Sequence, residues 1–178
     1  MHIKRAFAGI SLAAALTACG LYTNIPAQIR LDAPSQGVAA TVTYTVSQDQ
    51  IEADVQNPTI ALVGEPGSIG VTYDEIAIEY LPESLGLNPR TVVIAGTIRV
   101  PSSHQFDAEQ NVLVGRAETE IPVVSSHVVQ LGNPLNQGRV NSQISARVTL
   151  SGTDDAGFRS SYQFYVPINF LSSALPTS

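Results

Sequence analysis

Three kinds of side chain in this 178-residue sequence could do chemistry beyond folding: one thiol, a few histidines, and several small groups of acids. The thiol is Cys19, which follows the run "SLAAALTA". A sulfur there can be a core atom, a nucleophile, half of an intermolecular disulfide, or an attachment point. Beyond His2 the histidines are His104 and His127, and no two histidines stand at a ligand spacing such as HxxxH. The stretch "HQFDAEQN" gathers His104, Asp107 and Glu109, donors that a loop tip can offer a cation, although a solvated polar loop has the same composition. "TDDAG", with Asp154 and Asp155, lacks the further oxygen donors of a calcium loop and reads as turn chemistry. "GEPGSIG", residues 64–70, has no lysine and no following helical pattern, so it is not a phosphate loop. No serine sits in GxSxG. Asp74 and Glu75 are adjacent, which on a regular strand sends them to opposite faces and keeps them from converging. The expectation is a protein that is not an enzyme and has no metal or cofactor.

The surroundings of Cys19 decide among its roles. Lys4 and Arg5 precede thirteen uncharged residues, Ala6 to Ala18. As a helix that run is about 20 Å long, short of a hydrocarbon core of about 30 Å. A basic start, a short apolar run and a small-residue exit have the form of a secretory signal. Leu16-Thr17-Ala18-Cys19 resembles the lipobox of bacterial lipoproteins. The resemblance implies cleavage between Ala18 and Cys19, a diacylglyceryl group on the Cys19 sulfur, added acyl chains such as palmitate, and anchorage in a bacterial cell envelope. Two or three acyl chains exceed what stable anchoring needs, at about 0.8 kcal/mol per buried CH₂. In the sorting rule of many such proteins an Asp after the cysteine retains them at the inner membrane, and Gly20 is compatible with the outer one.

Removal of residues 1–18 takes Lys4 and Arg5 with it and leaves seven basic residues against fifteen acidic ones, a net of −8 with no lysine. Such a domain is a poor partner for nucleic acid, which is bound through cations on phosphate. No other stretch approaches eighteen consecutive apolar residues. With Cys19 acylated no disulfide is available, and stability must come from a core.

The elements that must build that core read as strands. Residues 19–37 carry two prolines and no sustained period and are expected to be mostly a lipidated tether, with "AQIRL" as a candidate first strand. From residue 38 to 171 the period is two. "ATVTYTVS" sets Val42, Tyr44 and Val46 against three threonines, and "IEADV" and "EIAIEYL" alternate in the same way. "TVVIAGTIRV" is apolar on both faces and predicts a central strand. "RVNSQISARVTLS" places Val140, Ile144, Ala146, Val148 and Leu150 inward. "FRSSYQFYVPINF" places Phe158, Tyr162, Phe164, Val166, Ile168 and Phe170 on one side. Asn-Pro pairs at Asn57, Asn88 and Asn133 end apolar runs, and "SGTDDAG" separates the last two strands. No window after residue 20 shows a helical stripe.

This pattern predicts an all-β fold, an antiparallel two-sheet β-sandwich of immunoglobulin-like type with seven or eight strands, followed by a tail at 172–178. A membrane barrel shares the period, but aromatics at 6%, no tryptophan and polar faces of Thr, Arg and Glu supply neither girdles nor a lipid-facing band. "IEADVQNP", "YDEIAIEY" and the closing "VTLSGTDDAGFRSSYQFYVPINF" are similar to late-embryogenesis-abundant type 2 domains and related bacterial lipoproteins. That resemblance implies a small β-sandwich, a loose association with stress tolerance, and no catalytic residues. The functional expectation is a lipid-anchored structural or accessory domain with an envelope protein partner, periplasmic or surface-facing. One alternative is a module binding an apolar small molecule or lipid between the sheets, beside Tyr44, Tyr80, Phe164 and Phe170, and another is a stress- or desiccation-protective lipoprotein of the type 2 kind.

Overall fold

The structure is a computed structural model that describes residues 26–32, 37–47, 50–103, 105–106, 111–134 and 142–173. Ala18, Cys19, His104, Asp107, Glu109 and Val140 lie outside the described residues.

The chain forms β1 (Ile29–Asp32), β2 (Ala40–Ser47), β3 (Gln50–Gln56), β4 (Thr59–Gly64), β5 (Val71–Leu81), β6 (Thr91–Val100), the two-residue pair β7 (Gln105–Phe106) and β8 (Val112–Leu113), β9 (Arg116–Glu120), a short helix α1 (Ser126–Gly132), β10 (Ser142–Asp154) and β11 (Arg159–Ser173). Six strands make one sheet in the order β3-β2-β11-β10-β5-β6, and β1-β4-β9 make the other. Their inner faces meet in one apolar cluster that takes Ile60 and Leu62 from β4 and the alternate residues of β2, β5, β10 and β11. The fold is the all-β two-sheet sandwich that the alternation predicts, with eleven strands among the described residues rather than seven or eight.

Several local expectations change. β2 and β11 run parallel, so the sheet is not wholly antiparallel. Side-chain alternation reports which face a residue takes and carries no information on which distant strand lies beside it. β6, expected at a sheet centre, ends the sheet instead, and its Val93 is 62% exposed. Phe158 is exposed in the turn before β11, not on its inner face. The candidate first strand "AQIRL" does pair, as β1 over residues 29–32, and its Leu31 N–H donates to the Tyr162 hydroxyl at 2.8 Å.

The seven-residue α1 has too few turns to show a stripe, yet its ends are marked. The Ser125 hydroxyl accepts from Val128 N–H at 3.4 Å, and Asn133-Pro134 follows the last turn. The segment from Ile121 to Gly132 packs on the part of the large sheet contributed by β2, β11 and β5. There the Tyr44 hydroxyl donates to the Val129 carbonyl at 2.6 Å and the Tyr80 hydroxyl to the Val123 carbonyl at 3.1 Å. Gly132 lies so close that a Cβ would stand 2.3 Å from the Tyr44 hydroxyl and 2.4 Å from the Phe170 ring.

Burial pushes the Tyr44 hydroxyl up to about 12 and raises those of Tyr73 and Tyr80. The folded state therefore holds these protons above the pH where the unfolded chain releases them. Their contribution to stability is intact below about pH 10 and falls as pH rises toward 12. Circular dichroism should show alkaline unfolding in that window, coincident with tyrosinate absorbance. Ionisation of all tyrosines near pH 10 with the fold intact would contradict the packing.

Val148 is fully buried and Thr149, its neighbour, faces out between Ala77 and Gln163. Val148→Asp should cost about 3 kcal/mol or more and Thr149→Asp about 0.5 kcal/mol in urea unfolding. Equal costs would mean that the register of β10 is wrong.

Candidate functional site

Asp154 and Asp155, singled out in the sequence, hold local structure together. Asp154 is buried, and its Oδ1 accepts from Ala156 N–H at 3.0 Å and Phe158 N–H at 2.9 Å, which shapes the β10–β11 turn. Its Oδ2 accepts from Ala27 N–H at 3.3 Å. Asp155 makes a two-point ion pair with Arg99 at 2.6 and 2.8 Å. The "GEPGSIG" stretch forms a turn closed on Ser103: Gly67 N–H donates to the Ser103 carbonyl at 2.9 Å, and Ser103 N–H donates to the Ser68 carbonyl at 2.8 Å. His127 is exposed on α1, and among the described residues no three His, Cys, Asp or Glu side chains group to hold a metal. Tyr44, Tyr80, Phe164 and Phe170 are all buried in the core, with both tyrosine hydroxyls engaged by backbone carbonyls.

Asp74 and Glu75 do not diverge as a regular strand would send them. The register of β5 slips between Tyr73 and Glu75, and that of β10 between Ser151 and Gly152. A bulge of this kind resets the two-residue alternation, so both carboxylates face solvent and line one hollow of about 560 Å³ with Arg159. A Cβ on Gly152 would come within 2.0 Å of the Thr72 carbonyl, so the bulge needs glycine there.

A second polar cluster lies at the other end of the same sheet. Glu79 on β5 stands directly across from Arg147 on β10, and Arg90 enters from the β5–β6 connection, where its carbonyl accepts from Tyr80 N–H at 3.1 Å. The Glu79 carboxylate accepts from both guanidiniums, one through each oxygen. Arg90 also pairs with Glu83 at 2.6 Å, from a 3-10 turn at Glu83–Leu85. These side chains, with Gln143, Ser145 and Pro167, line an open groove of about 840 Å³. Glu79 is the best shielded of the ion-pair members, with 18% of its side chain exposed. The Arg90 Nε is buried and has no hydrogen-bond partner among the described residues. Its carboxylate partner, and after it the Tyr165 hydroxyl, raise the Arg147 pKa.

Two cations and two anions balance, and every partner is fixed by another. The groove can donate and accept hydrogen bonds from planar groups in set directions. It offers no nucleophile with an adjacent base. Sequence inspection placed Glu79 and Arg147 correctly on outward faces but did not join them, because 68 residues separate them and only the pairing of β5 with β10 brings them together.

Glu79→Ala would leave Arg90 and Arg147 facing each other without a counter-charge. The expected loss is about 1 kcal/mol in thermal or urea unfolding, since the Arg90 and Arg147 side chains keep 35% and 40% of their surface in water, and it should change as added salt screens the repulsion. A salt-independent loss would mean that packing, not charge, is what the residue supplies.

Comparison of the chain with protein-family models, with curated proteins and with solved structures returned no match.

Proposed function

We propose that this chain is a lipid-anchored, non-enzymatic protein of a bacterial cell envelope, held through an acylated Cys19 and acting by presenting the surface of its sandwich to another envelope component. The observation that carries the reading is where the chain enters the fold. Ala27 and Gln28 are fastened by backbone donation to Asp154 and Ser68, only eight residues beyond Cys19. Eight residues reach at most about 29 Å when fully extended. A lipid on Cys19 would therefore hold the β10–β11 turn end of the sandwich near the bilayer and turn the opposite end away from it.

An accessory role is supported by β6, a ten-residue edge strand that has no further strand beside it among the described residues. It has no lysine or proline to blunt it and exposes Val93. No constellation of catalytic groups accompanies these features among the described residues. The outer membrane suits Gly20, and nucleic acid does not suit a net charge of −8 on the mature chain, counted as seven basic against fifteen acidic residues.

Mass spectrometry of the membrane fraction should find wild-type chains starting at an acylated Cys19. Cys19→Ser should leave the precursor unmodified and uncleaved at Ala18. An unmodified thiol on the native membrane protein would overturn the anchor. Purified in mild detergent, the wild type should retain a stoichiometric protein partner that Val93→Lys releases, and a monodisperse chain alone would overturn the accessory role.

A further inference from the structure

The groove at Glu79, Arg90 and Arg147 has a ligand chemistry that can be read from its walls, and the geometry points to an uncharged oligosaccharide. Its volume of about 840 Å³ falls within the range of small-molecule sites, roughly 300–1,000 Å³. Charge is the first discriminator. An anion needs an excess of cations and a metal ion needs an excess of carboxylates, whereas Arg90 and Arg147 are matched here by Glu79 and Glu83. A ligand without net charge loses least on entry.

The second discriminator is the mixture of groups. Guanidinium donates only, carboxylate accepts only, and the Gln143 amide and Ser145 hydroxyl do both. A pyranose carries adjacent hydroxyls that both donate and accept, so each can bridge two such wall groups. The apolar part of the lining, Leu81 and Pro167 among it, suits the C–H faces of the same rings. An apolar ligand would strip water from the charged wall and replace none of its hydrogen bonds.

The third is an aromatic platform. Tyr165 lies directly across from Arg147 on the central strand β11, two residues from the groove-lining Pro167, with 56% of its surface exposed. An exposed aromatic ring beside directed polar groups is where a sugar ring stacks. The position on the molecule agrees. Ser145 at the groove and Asp154 at the chain's entry are separated along β10 by about 30 Å at roughly 3.3 Å per residue. This orientation rests on the anchored reading of the function, since the groove is the end that a lipid on Cys19 turns away from the membrane. The chemistry of the groove does not depend on it.

The test uses the mature chain in a polyoxyethylene detergent, which avoids sugar headgroups. Tetra-N-acetylchitotetraose, cellotetraose and maltotetraose serve as neutral probes, and tetragalacturonate and a glutamate-rich peptide serve as acidic ones, all by calorimetry and saturation-transfer NMR. A neutral tetrasaccharide should bind, with affinity reduced tenfold or more by Tyr165→Ala and by Gln143→Ala. Ser161→Ala, on the same face near the other hollow, should leave binding unchanged, and circular dichroism should show all three variants folded. Cys19→Ser protein should bind equally well, so an unmodified thiol on native Cys19 would sink the anchor and leave the groove assignment standing. Binding of the acidic probes alone, binding indifferent to Tyr165 and Gln143, or no binding of any neutral probe would each overturn the assignment.

Discussion

Six strands in one sheet face only three in the other, and that mismatch sets the main constraint on this molecule. The smaller sheet leaves part of the larger one's apolar face uncovered, and each large apolar side chain left in water costs about 1.5–3 kcal/mol. The segment from Ile121 to Gly132 covers the remainder, contributing Ile121, Val123 and Val128 to the core. An irregular segment brings backbone carbonyls with it, and these must be paired when buried. Tyr44 and Tyr80 meet that requirement: their rings pack as phenylalanine would, and their hydroxyls donate to two carbonyls of the covering segment. The same bonds decide where the segment sits, which is why Gly132 can approach Tyr44 and Phe170 so closely.

A comparable economy governs the turn end, where hydrogen bonds do the joining that cross-links do elsewhere. The buried Ser103 hydroxyl donates to the Gly64 carbonyl at 2.9 Å and accepts from Gly115 N–H at 2.8 Å, so one side chain ties together three connections. Ser68 accepts from Gln28 N–H at 2.9 Å and donates to the Ile69 carbonyl at 3.0 Å. Such bonds contribute about 1 kcal/mol each, but an unpaired buried group costs more than a made bond returns. The cluster therefore acts as a unit, and loss of this segment would remove the N–H groups from which the Ser68 and Tyr162 hydroxyls accept.

Much of the sandwich was legible in the sequence where burial is one-sided. On β2, β5, β10 and β11 the residues Val42, Tyr44, Ile76, Ile78, Ala146, Val148, Val166 and Phe170 alternate and are all buried. β4 escaped because Ile60 to Val63 is buried on both faces, and a continuous apolar run of that length has no period to read. α1 escaped because seven residues are too few for a stripe. The divergence expected of Asp74 and Glu75 failed at a bulge, a one-residue insertion that no alternation rule anticipates. The groove was illegible for a different reason. Each of its charged residues looks like an ordinary solvent-facing position, and the cluster exists only through a strand pairing between distant parts of the chain.

Stability does not explain that cluster. Shielding Glu79 opposes the attraction it feels from two arginines, and exposed ion pairs contribute about 0–1 kcal/mol. Just beyond it the outer face carries neutral side chains, Thr149 and Ser151 on β10 and Gln163 on β11, which complete that part of the sheet without charge. The four long charged side chains of the cluster are therefore an addition that folding does not require. What they supply is preorganisation: each guanidinium is already held by a carboxylate, so little side-chain freedom remains to be lost when a ligand enters. A cluster of this kind is weak as a strut and well suited to recognition. The cluster stands at the opposite end of β10 from Asp154, where Ala27 joins the fold.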